Sequence, residues 1–462
     1  MKKNQFLTVR IESLTGNGNG IAHSDGQVIF VPAVACGDLC EVKIIKVKSS
    51  YAVAKVEKII EFSPDRIQNA CSAFPRCGGC SFQHISYENE LSIKKQTVID
   101  AVSRIGGLSV RVNDVIPSEN ICCYRNKAQY PIGEKDGKIV FGFYGTHSHR
   151  IVPCDDCKIQ PEFFNRIMQY VTCFFNDKKL TAYDELTQKG LLRHCYLRAN
   201  KQGSVMLCLV INAKSFEYEI EFADYLSNLK EVTSVYLNFN CNNSNVILSD
   251  DFKCIYGEEY FEDEFFGLNL RMSPDSFYQV NRSAAETLYK TAFTLLDKKK
   301  YENVFDLYCG VGSIGLSFAK YAEINDIQYQ RLIGYEVVEK AIISAKINAE
   351  RNGIKNSEFY VGDLVNPPKE IMEKYPPSLV IVDPPRKGCS KQLVEFFLSM
   401  EIPEILYISC DPATLARDLK TLSSAYDMSD ITPVDLFPRT AHVECTVRLC
   451  RTGTRNTVIN NR

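Results

Sequence analysis

No stretch of this 462-residue chain is apolar for long enough to span a membrane, and its first ten residues hold two lysines without the apolar segment of a secretory signal. Insertion and export are therefore unsupported, and a cytoplasmic protein is expected. An excess of charge of one sign is lacking too. The 54 basic and 56 acidic side chains leave a formal charge of −2, so any nucleic-acid surface has to be a local patch. Cysteine is plentiful, but the pattern of a disulfide framework is missing. Nineteen thiols, an odd number in an unexported chain, argue for reduced side chains with a metal-binding or catalytic subset. The length suits two or three domains with cores of their own.

Residues from Phe6 to Ile60 alternate apolar and polar side chains in short runs broken by Gly16, Gly18, Gly20, Gly26 and Gly37, the pattern of a small all-β barrel. Lys43, Lys46, Lys48, Lys55 and Lys58 surround Tyr51. Ammonium groups meeting phosphates and a ring stacking a base would make this a single-strand binding face. A solvated strand edge guarded by lysines accounts for the same residues. Next come Cys71, Cys77 and Cys80 within ten residues, with Gly78 and Gly79 letting the backbone wrap closely round whatever the thiolates hold. Cys154 and Cys157 are the candidates for a fourth ligand, and four thiolates suit either a [4Fe-4S] cluster or a structural zinc. Tyr87 to Ile105 predicts a helix with Leu91, Val98, Val102 and Ile105 on one face, stopped by Gly106 and Gly107. From Tyr124 to about Leu270, β-like runs alternate with a few helical ones and no repeat appears, which predicts a mixed α+β domain. Arg125, Lys127, Lys135 and Lys138 within it suit either contacts to an RNA backbone or a solvated hairpin.

From Met272 the pattern becomes doubly wound. Asn303 to Leu307 predicts a strand, followed by Tyr308-Cys-Gly310-Val-Gly312-Ser313 opening a helix. Two glycines here let the backbone pass close to a nucleotide, and the helix N-terminus offers free N–H groups. A second strand ends at Glu336, placed for ribose hydroxyls, a third at Asp363, and a fourth at Asp383. The turn lacks the third glycine of the dinucleotide fingerprint and the Gly-Lys-Ser/Thr of a phosphate loop. An adenosine ligand without phosphates remains, which points to S-adenosylmethionine. The apolar runs Leu379 to Val382 and Ile405 to Ile408 flank a helical interval, so Cys410 is placed just beyond a strand end, where α/β sheets bind ligands. Pro384, Pro385 and Pro412 stiffen the turns there.

The motifs Ser276-Phe-Tyr-Gln-Val-Asn281, Asp306-Leu-Tyr-Cys-Gly-Val-Gly312, Asp383-Pro-Pro-Arg-Lys-Gly388, Ser409-Cys-Asp-Pro-Ala-Thr-Leu-Ala-Arg417 and His442-Val-Glu-Cys-Thr446, in this order, resemble the RNA (uracil-5-)-methyltransferases. The likeness spans nearly the whole chain and is strongest to the branch acting on 23S ribosomal RNA. The N-terminal pattern Gly-Asn-Gly-Ile-Ala and Val-Ile-Phe-Val-Pro resembles the OB-like TRAM domain. The resemblance implies a TRAM barrel at 1–62, a central domain with the iron-sulfur cysteines at 63–270, and a Rossmann-like α/β catalytic domain at 271–462, with helix 87–105 a candidate to pack on the last. It further implies Cys410 as nucleophile and Glu444 as base. Gln279, Tyr308, Ser313, Glu336, Asp363 and Asp383 line the S-adenosylmethionine site on this reading, and Cys71, Cys77, Cys80 and Cys157 hold a [4Fe-4S] cluster. The expected partner is 23S rRNA, bound by a monomer without membrane attachment. Arg439, Arg448, Arg451 and Arg455 are expected near its phosphates. A tRNA uracil-5-methyltransferase would share Cys410 and Glu444 but usually lacks the barrel and the cysteine group. A catalytically inert RNA-binding or redox-sensing protein would not need both.

Overall fold

The computed structural model describes residues 1–146, 148–244 and 246–453. Its N-terminal unit is a six-stranded sheet in the order Phe6–Arg10, Leu39–Val47, Tyr51–Glu61, Gln27–Val31, Gly20–Ser24, Ser13–Leu14. Alternation puts Cys40, Val42 and Ile44 inside one strand and polar residues outside. Buried Asp38 ties this barrel to the segment beyond its last strand: it accepts from Ala35 N, Ser63 N and the Arg66 guanidinium at 2.6 to 3.0 Å. Lys46, Lys48, Lys55 and Lys58 are exposed, while Lys43 lies over the Phe6 ring at 5.5 Å.

The central domain is a seven-stranded sheet in the order Phe252–Gly257, Val232–Phe239, Val205–Ile211, Leu192–Ala199, Lys127–Lys135, Lys138–Tyr144, Ile151–Pro153. Helices Glu162–Asp177 and Glu219–Ser227 cover one face through Phe164, Ile167 and Phe222. The opposite face sends Tyr196, Met206 and Tyr236 into the core of the catalytic domain. The hairpin of Phe261–Phe265 and Leu268–Met272 packs in that core as well.

The catalytic sheet runs Ser357–Val361, Gln328–Glu336, Lys300–Leu307, Pro377–Val382, Glu404–Ser409, Glu444–Arg451, Tyr426–Met428, with Thr432–Val434 also paired to the Glu444 strand. The first five strands are parallel and the Glu444–Arg451 strand joins them antiparallel. Among the described residues no helix is long and apolar enough to cross a membrane.

The helix expected over 87–105 packs on the catalytic domain through Leu91, Val98 and Val102 of its predicted face, with Ile105 the exception. It runs as an α-helix over Tyr87–Asp100, capped by the Ser86 hydroxyl, and continues as a π-helix over Ala101–Gly106 to Gly107 at φ +64°. Val98 and Val102 pack with Leu415 and Leu419 of the catalytic domain, but Ile105 is exposed and Leu91 only half-buried. Beside Val98, the charged residues Glu90 and Lys94 are fully buried as well. Lys94 Nζ donates to Glu90 Oε1 and Asp435 Oδ1, both at 2.7 Å, and to Phe437 O. Tyr87 donates to Asp435 Oδ2 at 2.8 Å. Paired and hydrogen-bonded charges can displace apolar residues from a helix seam in this way.

Candidate active site

Cys410 closes the Glu404–Ser409 strand, and Asp411 caps the helix Pro412–Leu422 by accepting from Ala413 N and Thr414 N, both at 2.9 Å. Asp411 is therefore occupied as a cap. Its neighbour's sulfur sits at a helix N-terminus, which favours a thiolate. In the neighbouring strand Ser409 is paired with Cys445, so the register continued by one residue sets Cys410 across from Glu444. In a regular antiparallel pair such positions have Cβ atoms about 5 Å apart. Glu444 is only 3% exposed, and its carboxyl has no hydrogen-bond partner among the described residues. A buried polar group left unpartnered calls for a ligand or a reaction to explain it.

The electrostatics of this corner are those of a crowded anion site. Burial, Glu444 and Asp383 push the Cys410 thiol up to about 12, against the pull of Arg386. Burial and Asp383 raise Glu444 well above the carboxylate range, again opposed by Arg386. Burial raises Asp383 to about 7. Among the described residues the cation acting on both Cys410 and Glu444 is Arg386, which donates from Nη2 to His442 Nε2 at 3.1 Å. Burial and Arg386 drop His442 to about 4, so its ring is a neutral acceptor. Neither Arg386 nor His442 was singled out by sequence reasoning. Their places inside the Asp383 and His442 motifs were the available signal.

Two motifs lock together at the turn that follows Asp383. Arg417 Nη2 donates to Lys387 O and Cys389 O, both at 3.0 Å, and Asp418 Oδ2 accepts from Cys389 N and the Tyr407 hydroxyl. Gly388, at φ +73°, passes so close that a Cβ there would lie 2.5 Å from Arg417 Nη2.

On the other side of Asp383 lies the glycine turn, with Gly310 and Gly312 at φ +54° and +83°. Buried Asp306 braces it by accepting from Gly315 N at 2.8 Å, while its Oδ1 has no partner. Glu336 accepts from Gly310 N at 3.2 Å and Val338 N at 3.0 Å, which fixes its carboxylate at the strand end. Tyr308 is held at φ +64°, and its N–H donates to Tyr335 O. Gln279 is buried, and the Tyr289 hydroxyl interacts with it and with Ser313. Asp363 is exposed, its Oδ1 accepting from Val365 N at 2.9 Å. Tyr308, Glu336, Asp363 and Asp383 lie at or just past the carboxyl ends of parallel strands, and the glycine turn, the fixed Glu336 and the orphaned Asp306 oxygen fit an adenosine ligand.

The arginines expected at phosphates are otherwise engaged. Arg439 is buried, its Nη1 donating to Ile85 O at 3.0 Å and its backbone N to Glu90 Oε1 at 2.7 Å. Arg448 is held by Glu404 and Asp297, and Arg451 by Glu401. Arg455 lies outside the described residues. Buried or paired guanidiniums do not offer forks to RNA.

The cysteines gather some distance along the chain from this corner. Cys71, Cys77, Cys80, Cys154 and Cys157 line a cavity of about 210 Å³ together with Arg125 and Lys127. Among the described residues no three His, Cys, Asp or Glu side chains converge on a single point that could hold one metal ion. The thiols instead surround a space. Cys154 lies between Cys71 and Cys157 and hydrogen-bonds both, which lowers Cys71 to about 6 and also lowers Cys157, while Cys154 itself is raised. Lys127, its ammonium lowered to about 8 by burial and by Arg198 and Arg125, and Arg125 put positive charge beside the thiols. Lys135 and Lys138 are paired at a hairpin tip away from them.

Against known proteins, residues 2–56 match the TRAM domain, 298–384 a methyltransferase domain, and 368–452 the tRNA (uracil-5-)-methyltransferase family. An uncharacterised RNA methyltransferase of Halalkalibacterium halodurans is 37% identical over 96% of both chains. Another from Clostridium acetobutylicum is 38% identical over 98% of both. Among solved structures, the Pyrococcus abyssi tRNA (uracil-54, C5)-methyltransferase in complex with S-adenosyl-L-homocysteine superposes with a TM-score of 0.76 at 27% identity, covering 96% of this chain and 99% of that one.

Proposed function

The chain belongs to the RNA (uracil-5-)-methyltransferase family, with an N-terminal TRAM domain and an S-adenosylmethionine-dependent catalytic domain, and from that premise we propose that it methylates carbon 5 of a uridine in 23S rRNA through a covalent Cys410 adduct. The observation that carries this reading is the placement of a thiol and an unpartnered buried carboxyl opposite each other at the edge of the sheet, beside Asp383. Carbon 5 of uracil is too weak a nucleophile to be alkylated unaided, so a covalent step that activates it divides the barrier. Cys410 loses its proton and adds through sulfur to carbon 6, and the ring electrons move onto the carbon 4 oxygen, which makes carbon 5 nucleophilic. When bound, S-adenosylmethionine supplies the electrophilic methyl group. Once carbon 5 carries the methyl, Glu444 as carboxylate takes the carbon 5 proton. The electrons of that C–H bond restore the ring double bond as the carbon–sulfur bond breaks and the thiolate leaves. Gln279, Tyr308, Ser313, Glu336, Asp363 and Asp383 are the residues that hold the cofactor on this reading, and Arg386 steadies both anions.

Because Cys410 attacks as a thiolate and its thiol is shifted upward, kcat/KM is expected to rise with pH through the neutral and mildly alkaline range, by at least about tenfold per unit. Removing the Arg386 cation should displace the profile to higher pH. A flat profile measured by methyl transfer to RNA would contradict the assignment.

We assign the cysteine cavity to a [4Fe-4S] cluster held by Cys71, Cys77, Cys80 and Cys157, a multi-atom centre suiting thiols that surround a space, with Arg125 and Lys127 balancing its negative charge. Cys154 then serves as an S–H donor to two of the ligands. Cys157→Ser should lower iron and acid-labile sulfide in anaerobically purified protein to near background, and Cys154→Ser should retain most of both. The reverse order would exchange the two roles.

A second reading, a tRNA substrate, gains weight from the Pyrococcus abyssi structure, whose near-complete overlap with this chain removes the barrel as a discriminator. In vitro methylation of purified 23S rRNA and tRNA, with 5-methyluridine mapped in each, separates the two. Methylation of tRNA alone would overturn the ribosomal assignment. A monomer working in the cytoplasm completes the proposal.

A further inference from the structure

We propose that the central domain carries a second RNA site, a groove that takes a single-stranded nucleotide segment of the substrate away from the reacting uridine. This site deepens the proposed reaction and rests on its RNA substrate. The groove encloses about 1190 Å³ between the strands Lys127–Lys135, Lys138–Tyr144, Ile151–Pro153 and Leu192–Ala199 and the segment 182–186.

Its floor belongs to the sheet face that meets the catalytic domain. In the Leu192–Ala199 strand, His194, Tyr196 and Arg198 alternate onto one side. Tyr196 enters the catalytic core, and Arg198 Nη2 donates to Ser276 O at 2.6 Å, at the head of the motif that contains Gln279. His194 therefore opens into the groove roughly 13 Å along the same strand from a contact with the cofactor-side motif, at about 3.3 Å per residue.

The lining has the chemistry of a single-strand site. Among the described residues Arg76, Lys135 and Arg150 have no ion-pair partner, and with Arg193 they outnumber the three carboxylates of the lining, Glu134, Asp184 and Glu185. Asp184 is turned onto Leu186 N and Thr187 N, and Glu185 is paired with His149 at 2.6 Å. The Tyr144 ring leans on His149 at 5.6 Å, and its hydroxyl meets His194 Nε2 at 3.4 Å. Tyr183 lies under the Arg193 guanidinium at 4.6 Å. Unpaired cations next to aromatic rings bind phosphate and base together. His194 Nδ1 and Arg193 Nε are buried, each on a residue only 7% exposed, and neither has a partner. Buried polar atoms left without a partner call for an explanation, and these two belong to residues that line the groove.

The test is fluorescence titration of the full-length holoprotein with an end-labelled single-stranded oligouridylate of about 20 nucleotides over a salt series. Lys135→Ala/Arg150→Ala is expected to weaken binding at least about tenfold and to reduce the salt slope by about 1.4, the loss of two phosphate contacts on a single strand. Unchanged thermal unfolding and unchanged S-adenosylhomocysteine binding show that the variant is folded. Photo-crosslinking with 4-thiouridine in the same oligonucleotide is expected to label the Tyr144 or Tyr183 segment. Affinity within about twofold of the parent with the same slope, or crosslinks confined to the barrel, would overturn the groove. If the parent methylates no uridine yet the variant still loses binding, the reaction assignment fails and the groove stands.

Discussion

Replacing Cys410 by alanine is expected to reduce methyl transfer by at least about 10⁴-fold, since removing the nucleophile of a covalent mechanism leaves only binding and orientation. The variant should also form no covalent complex with RNA carrying 5-fluorouracil, because the bond to carbon 6 needs the sulfur. Glu444→Gln should behave in the opposite way. With no base to take the carbon 5 proton, the methylated ring stays attached to Cys410, and a protein–RNA species that survives denaturing electrophoresis should accumulate on ordinary substrate. The mass of the Cys410 peptide reads both outcomes. Methylation by Cys410→Ala at even a tenth of the parent rate, on the scale of about 1.4 kcal/mol of barrier, would remove the thiol from the reaction. A Glu444→Gln variant that turns over freely would move the base to another residue.

The second large effect is expected far from any substrate. Lys94 is 1% exposed and holds Glu90 and Asp435 at 2.7 Å each. Lys94→Met strands two carboxylates in the interior and should lower stability by about 3–5 kcal/mol, read as a lower denaturant midpoint. Adding Glu90→Gln should restore part of that loss, since a neutral amide tolerates burial better than an unpaired charge. If Lys94→Met alone costs less than about 1 kcal/mol, the contacts behave as a surface pair and the network is not structural.

This network also shows why parts of the architecture were hidden in the sequence. Glu90 and Lys94, four residues apart, read like an ordinary solvent-facing pair, and their partner Asp435 lies 341 residues from Lys94. Arg439 reads like a phosphate ligand for the same reason: charge in a motif gives no sign of burial. The parallel strands were legible because Leu379 to Val382 and Ile405 to Ile408 are continuous apolar runs, as strands buried on both faces have to be. Acids at strand ends and glycines at the turn mark the cofactor side because backbone geometry demands them. Arg386 and His442 are another matter. The effect of Arg386 on Cys410 and Glu444, and its bond to His442, arise from tertiary distance between motifs that the chain keeps far apart.

The sheet has one further consequence. Cys410 and Glu444 follow directly on the hydrogen-bonded ladder between two neighbouring antiparallel strands, so the gap between them, which on the proposed mechanism a pyrimidine fills, is a lattice constant of the β-structure. Loops joining the two residues can lengthen or shorten without retuning that gap. A one-residue slip of the last strand, by contrast, would turn the carboxyl to the opposite side of the sheet and leave the sulfur facing a cysteine or a valine.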